Sequence, residues 1–299
     1  VSPASMFTLA HISDPHLAPL PAPRWSELIG KRITGYINWQ RKRRFIHDPA
    51  ALAAIVAAIK VQSPDHIAVT GDIANIALAA EFRQGRDWLE RLGSTQDVTV
   101  VPGNHDIYVR EAIGFAGRQW GAYMSDDDGV AGFPFVRRRG NIALVGLSTG
   151  VPTAPLLATG WLGTKQLAEL TAVLNKLKSE NVFRVVLIHH PPISQTGRQK
   201  RLLDAPVLKR VIAAHGADLL LHGHDHLHMI NWLKGPNGTR VPAVGVPSAS
   251  AAPGGDKDAG AYNIYRIDGS RGAWRCELIS HGLTSSGEVV QQNRFMLIG

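Results

Sequence analysis

The chain has 299 residues, 44% apolar and 19% charged, with 32 Lys and Arg against 24 Asp and Glu for a formal net charge of +8. This composition excludes general disorder, and a single cysteine, Cys276, excludes an internal disulfide framework and fits a reducing compartment. No apolar run reaches the roughly 18–20 residues that a membrane span needs. Val1 to Phe7 has neither a charged n-region nor a long apolar stretch, so no signal peptide is expected. Met6 is a candidate start, with Val1–Ser5 either an addition or the product of an upstream start. The expected location is cytoplasmic, with peripheral contact at a membrane surface as a further option.

In chain order, residues 7–12 are an apolar-rich strand running into Ser13-Asp14. Leu52, Ile55, Val56 and Ile59 recur at helical spacing over residues 49–61, behind Asp48 as N-cap and Pro49 at the first helical position. Strand 67–70 ends at Gly71-Asp72, helix 79–92 buries Phe82, Trp88, Leu89 and Leu92, and strand 98–101 ends at Pro102-Gly103-Asn104-His105. Short connections between such elements imply parallel strands with crossover helices. The theme repeats as strand 141–147, helix 164–177, strand 184–188 ending at His189, helix 205–215, and strand 218–221 ending at His222-Gly223-His224. Strands alone follow, at 228–233, 241–246, 262–267 and 274–279, separated by turns such as Pro236-Asn237-Gly238. The expected fold is α/β: a four-layer α/β/β/α sandwich of two mixed sheets flanked by helices. It forms one domain over residues 1–299, with a basic amphipathic insert at about 17–47 and a strand-rich part from about 228.

Open α/β sheets bind ligands beyond the C-terminal ends of their strands. Five predicted strand ends carry Asp14/His16, Asp72, Asn104/His105, His189/His190 and His224/His226. A lone Asp there is usually a turn former or cap, and a lone His a packed or surface residue. Five such coincidences are hard to explain by packing, because burying bare carboxylates together costs several kcal/mol each. Metal cations would remove that cost.

Asp14-Pro15-His16, Gly71-Asp72, Gly103-Asn104-His105-Asp106, His189 and Gly223-His224-Asp225-His226 resemble the five ordered motifs of the calcineurin-like metallophosphoesterases. The motifs span most of the chain and no ligand position is missing. The resemblance implies that Asp14, His16 and His226 hold one metal and that Asn104, His189 and His224 hold a second. Asp72 would bridge them, with one oxygen for each cation. Mixed O and N ligation suits two divalent or trivalent ions of Mn, Fe or Zn. The implied chemistry is attack of a metal-bridging hydroxide on phosphorus. His105 would contact the phosphoryl oxygen or protonate the leaving group, and Asp106 either orients His105 or serves as a turn residue. His190 either contacts substrate or fills space, while His222 and His228 are expected to be structural or to support the ligands.

The insert is proline-rich at Pro19, Pro21 and Pro23, then carries Trp25 and a stripe of Leu28, Ile29, Ile33, Tyr36 and Ile37 among Lys31, Arg32, Arg41, Lys42, Arg43 and Arg44. The plain reading is an apolar face packed on the body with a solvated basic face. A lid over the cleft and an interfacial helix are the alternatives, and Gly30 and Gly35 weaken one continuous helix. Arg137-Arg138-Arg139 and Arg198, Lys200 and Arg201 are further cations that could meet phosphate, Arg198 being the substrate-binding candidate. Trp120, Tyr123, Phe133 and Phe135 wall the cleft or, more plainly, pack in the core, and Pro247 to Gly255 reads as a loop.

The favoured function is a two-metal phosphodiesterase acting on a phosphate-containing small molecule or lipid-linked substrate. Pyrophosphohydrolysis of a nucleotide-linked lipid, phosphomonoester hydrolysis and nuclease activity are alternatives. A pI near 9.8 favours nucleic acid, but the basic residues are scattered and no DNA-binding module is recognised, so nucleic acid is a less favoured partner. A non-catalytic metal-binding interaction module is the least favoured reading, because the whole candidate site is present.

Overall fold

The computed structural model describes residues 6–299; the expectation about Val1–Ser5 lies outside the described residues. The strands are β1 (Phe7–Ile12), β2 (His66–Val69), β3 (Val98–Val100), β4 (Phe135–Arg139), β5 (Ile142–Gly146), β6 (Phe183–Leu187), β7 (Leu219–His222), β8 (Met229–Lys234), β9 (Arg240–Gly245), β10 (Ala261–Asp268), β11 (Arg275–Leu283) and β12 (Val289–Ile298). The α-helices are α1 (Lys31–Arg41), α2 (Pro49–Gln62), α3 (Ala79–Leu92), α4 (Ala112–Trp120), α5 (Gly163–Lys178) and α6 (Ala205–His215).

One sheet has the order β12-β11-β10-β1-β2-β3 and the other β4-β5-β6-β7-β9-β8. In the first, β1, β2 and β3 are parallel and β10 to β12 continue antiparallel. In the second, β5, β6, β7 and β9 are parallel, with antiparallel edges at β4 and β8. Side-chain alternation sets the layers. Leu144, Val185, Leu187 and Leu219 join Leu9, Ile67, Val98 and Ile264 in the core between the sheets. Ala143, Val145, Val186 and Leu220 face the other way, onto Leu170, Leu174, Leu208 and Ile212 of α5 and α6. The result is two mixed sheets flanked by helices, as the strand–helix alternation predicts.

Local chemistry accounts for the helix boundaries. Asp48 accepts from the Ala50 N–H at 2.8 Å and Pro49 opens α2. Glu81, in the first turn of α3, accepts from the N–H groups of Asn75 (2.5 Å), Ile76 (3.2 Å) and Leu78 (2.8 Å). It thereby fixes the segment that follows Asp72.

Two expectations are corrected. Arg137, Arg138 and Arg139 lie in β4, not in a loop open to substrate. Arg137 is buried and donates to the carbonyls of Ser125, Thr95, Val98 and Ala122, while Arg138 pairs with Glu180 and Arg139 with Asp127. The insert also departs from an apolar-in, basic-out helix. Arg32 is buried, with its guanidinium on the carbonyls of Ile76 (3.2 Å) and Ala77 (2.7 Å) and on Glu111, whereas Ile29, Ile33 and Ile37 are exposed. Carbonyl acceptors left by the segment after Asp72 therefore decide which face of α1 packs.

Candidate metal centre

The C-terminal ends of β1, β2 and β3 meet those of β6 and β7 at one edge of the sandwich. The loop after β1 pairs with the loop after β2: the N–H groups of Asp14, His16 and Leu17 donate to the carbonyls of Gly71 (2.9 Å), Asp72 (3.0 Å) and Ile73 (2.9 Å). Glycine permits the loops to approach. A Cβ on Gly103 would lie 2.2 Å from Asp72 Oδ1, and one on Gly223 would lie 1.8 Å from Ser13 Oγ. Five of the candidate ligands hold left-handed backbone angles: Asp14 (φ 51), His16 (φ 36), Asp72 (φ 57), His224 (φ 70) and His226 (φ 56). These turns aim side chains into the cleft where an extended strand would alternate them.

Two donor groups result, Asp14/His16/His226 and Asp72/His189/His224, each with its ligand atoms within 4.8 Å of one another. In the first, Asp14 Oδ1 lies 3.0 Å from His226 Nε2 and 3.8 Å from His16 Nε2. Asp14 Oδ2 is taken by Ser13 Oγ (2.6 Å) and the His224 N–H (3.0 Å). In the second, His189 Nε2 lies 3.3 Å from Asp72 Oδ2 and 3.2 Å from Asn104 Oδ1, and His224 Nδ1 lies 2.9 Å from the same Asn104 oxygen. Asp72, a member of the second group, also faces the first, but not with one oxygen for each. Its Oδ1 accepts the His105 N–H at 2.7 Å, and Oδ2 faces both His16 (3.8 Å) and His189.

The remote ring nitrogens test whether this set fits cations. His16 Nδ1 donates to the Ala74 carbonyl (3.1 Å), His189 Nδ1 to that of Thr70 (2.6 Å) and His224 Nε2 to that of Lys200 (2.7 Å). These bonds fix the tautomers, so the other nitrogens present lone pairs to carboxylate and amide oxygens. Acceptor facing acceptor is repulsive unless a proton or a cation lies between, and the donor set fits metal ions. Burial alone would lower His189, but Asp72 and Asp14 outweigh it and raise the ring to about 10. Burial would raise Asp14, yet His226 and His189 hold it well below the usual carboxylate range.

His105 is half-buried, stacked on Tyr108 at 5.5 Å between ring centroids, with Nδ1 2.5 Å from the Asn75 carbonyl. Burial, then Arg43, lowers it to about 3. Asp106 does not orient it. Asp106 is fully buried and accepts from the N–H groups of Asp72 (2.7 Å), Ala74 (2.8 Å) and Gly103 (2.9 Å), contacts that tie the two loops together. His190 is likewise enclosed. It is fully buried, its nitrogens meet Thr149 Oγ1 (2.7 Å) and the Ala158 carbonyl (3.1 Å), and its ring supports His224 at 4.3 Å. Arg198 is exposed and lines a hollow with Arg201 and Lys209, and no hydrogen bond among the described residues joins its side chain to the cluster. Its short turn serves the site through the Lys200 carbonyl on His224. His222 and His228 lie outside both donor groups.

Sequence reasoning missed His47, named Arg43 only as one of the insert's cations, and read Ser248 and Ser250 only as loop residues. Ser248 Oγ donates to the Asp14 carbonyl at 2.6 Å, and His47, buried, lies 4.4 Å from the His16 ring. The available signal for His47 was the four-residue spacing of Trp39, Arg43 and His47, which continues past the apolar stripe.

A family model described as calcineurin-like phosphoesterase matches residues 7–228. A Synechococcus protein described as a probable cyclic nucleotide phosphodiesterase is 30% identical over 179 residues, covering 58% of this chain and 62% of the relative. The match thus spans less than two thirds of that relative's length. A crystal structure of a dimetal phosphatase from Danio rerio superposes with a TM-score of 0.64 at 14% identity, over 99% of each chain. A purple acid phosphatase from yellow lupin gives 0.60 at 13% identity, over 98% of this chain and 53% of its own. At these identities the two structures bear on the fold alone.

Proposed function

The chain belongs to the calcineurin-like phosphoesterase family, and from that membership we propose that it is a two-metal phosphodiesterase. The observation that carries the reading is the pair of adjoining His/Asp donor groups, one of which includes Asp72, each built from both sheets. Asp14, His16 and His226 would hold one cation, and Asn104, His189 and His224 the other, with Asp72 shared. Mn, Fe or Zn suits these donors. Cations bound there supply an acidified water as nucleophile and Lewis-acid neutralisation of phosphoryl charge. His105 has Nδ1 committed to the Asn75 carbonyl, so Nε2 serves the cleft and meets the phosphoryl or leaving oxygen. The diester preference is supported by the Synechococcus relative's description.

A lipid-linked phosphate ester is the second reading, favoured by the insert. Trp25 and Ile29 are 85% and 77% exposed, and Ile33, Ile37 and Phe45 are exposed with them. Exposed Arg24, Arg41, Lys42 and Arg44 lie among these residues in sequence. Apolar side chains among cations suit an anionic lipid surface.

One experiment addresses both readings. Mn-loaded protein is assayed on bis-p-nitrophenyl phosphate and p-nitrophenyl phosphate, with Asp72→Ala and His105→Ala alongside, and is pelleted with phosphatidylglycerol or phosphatidylcholine vesicles. The expected result is preferential diester cleavage, lost by 100-fold or more in Asp72→Ala on the order seen for metal-site variants, and pelleting with the anionic vesicles only. Monoester preference would move the assignment to a phosphatase. Turnover unaffected by Asp72→Ala would sink the site assignment, and no pelleting would remove the lipid reading.

A further inference from the structure

Three imidazoles surround the guanidinium of Arg43, which stands in the short turn after α1. One terminal nitrogen lies 3.0 and 3.1 Å from the two ring nitrogens of His105. The other lies 2.8 and 2.9 Å from those of His16 and 3.5 Å from His47 Nε2. A donor in the plane of an imidazole can approach only one of its nitrogens without striking the carbon between them. Nearly equal distances to both place the Arg43 nitrogens over the ring faces.

Arg43 has no anionic partner of its own. None of the ion pairs among the described residues includes it, although Arg32, Arg86, Arg138, Arg139, Arg184, Arg266 and Arg294 each have one. A half-buried cation with no ion-pair partner is costly. Burial lowers its pKa and outweighs Asp72 and Asp14, which are close enough to act on its charge but lie beyond ion-pair distance. The enclosure is nevertheless built. His47 Nδ1 is 2.9 Å from Ser250 Oγ, the His47 N–H donates to the Arg43 carbonyl (3.0 Å), and Trp39 lies parallel to the His47 ring with centroids 6.2 Å apart.

We propose that Arg43 is a phosphoryl-binding residue contributed by the insert, donating to non-bridging oxygens of the phosphate group in the cleft, with His47 as the positioning residue that holds it. A planar guanidinium fork matches two phosphoryl oxygens at once, and Arg43 lies beside His105, the group assigned to the same oxygens. The ligand class rests on the phosphoester-hydrolase reading; the absence of an ion-pair partner for Arg43 does not.

The test uses Zn-loaded full-length protein and inorganic phosphate as the probe, with binding read by calorimetry and metal content by mass spectrometry. Arg43→Ala is expected to weaken phosphate about 10- to 100-fold with two metals retained, and to raise the diester KM more than it lowers kcat. Arg43→Lys should recover part of the affinity. His47→Ala should mimic Arg43→Ala, and His47→Gln should restore binding by again accepting from the guanidinium. Unchanged phosphate affinity in Arg43→Ala, loss of a metal in Arg43→Lys, or no phosphate binding by the wild type would each overturn the proposal. Wild-type protein that binds phosphate through Arg43 but cleaves neither ester would leave it standing and sink the hydrolase reading instead.

Discussion

Three backbone N–H groups from two loops converge on one carboxylate at Asp106. Burial pushes this carboxyl up, to about 7, and the charge of Asp72 adds to the rise, while the N–H groups from Ala74 and Gly103 oppose it. Replacing Asp106 by Asn leaves one oxygen for three donors and turns an NH2 group toward them. Asp106→Asn is therefore expected to cost about 2–4 kcal/mol in urea unfolding and to weaken metal binding roughly 10- to 100-fold by loosening the Asp72 loop. An unchanged urea midpoint would show that the loops do not depend on Asp106. At this scale the sequence was legible for residue type and less so for partners. The ligand candidates announced themselves at strand ends. Asp106 and His190 sat beside them and were read by proximity in sequence, whereas, Gly103 aside, their hydrogen-bond partners come from residues more than 30 positions away.

Among the elements, β2 and β3 carry a titration that tests the fold independently of the cleft. His66, buried in β2, has Nε2 2.7 Å from Thr99 Oγ1 and leaves Nδ1 without a partner. Burial, then Arg139 and Arg137, lowers it from 6.5 to about 3. The unfolded chain therefore takes up a proton below pH 6.5 that the folded chain refuses until about pH 3. The stability contributed by the neutral ring is whole above 6.5 and falls by about 1.4 kcal/mol per pH unit between those limits. His66→Gln, unfolded in urea at pH 7, 6 and 5 in EDTA, should lose stability less steeply than wild type by about that slope. Parallel slopes would mean that His66 is protonated in the folded state. Helices with a regular apolar period and strands that end in motif residues were readable from the chain. The strand β12 was not, because most of its side chains face solvent and give no alternation. In β4 three arginines masked the strand, since the buried Arg137 spends its charge on carbonyls of distant segments.

For the molecule as a whole, each donor group joins residues from both sheets: Asp14 and His16 to His226, and Asp72 and Asn104 to His189 and His224. Cations held there cross-link the sandwich at one edge and bind only the folded chain. At about 1,000 times the dissociation constant such a ligand stabilises by about 4 kcal/mol, so thermal unfolding should move up by several degrees with Zn or Mn and return with EDTA. A midpoint indifferent to metal would mean that the donors do not bind ions in the native state. The arrangement has an opposite side in the five donors at left-handed backbone angles. Each non-glycine residue there costs about 1 kcal/mol or more, which sums to a sizeable part of the roughly 5–15 kcal/mol that holds a domain folded. In a lineage where the chemistry ceased to be selected, glycine at Asp14, His16, Asp72, His224 or His226 would relieve that strain with each substitution. Such a chain would lose its donors by drifting downhill in folding free energy.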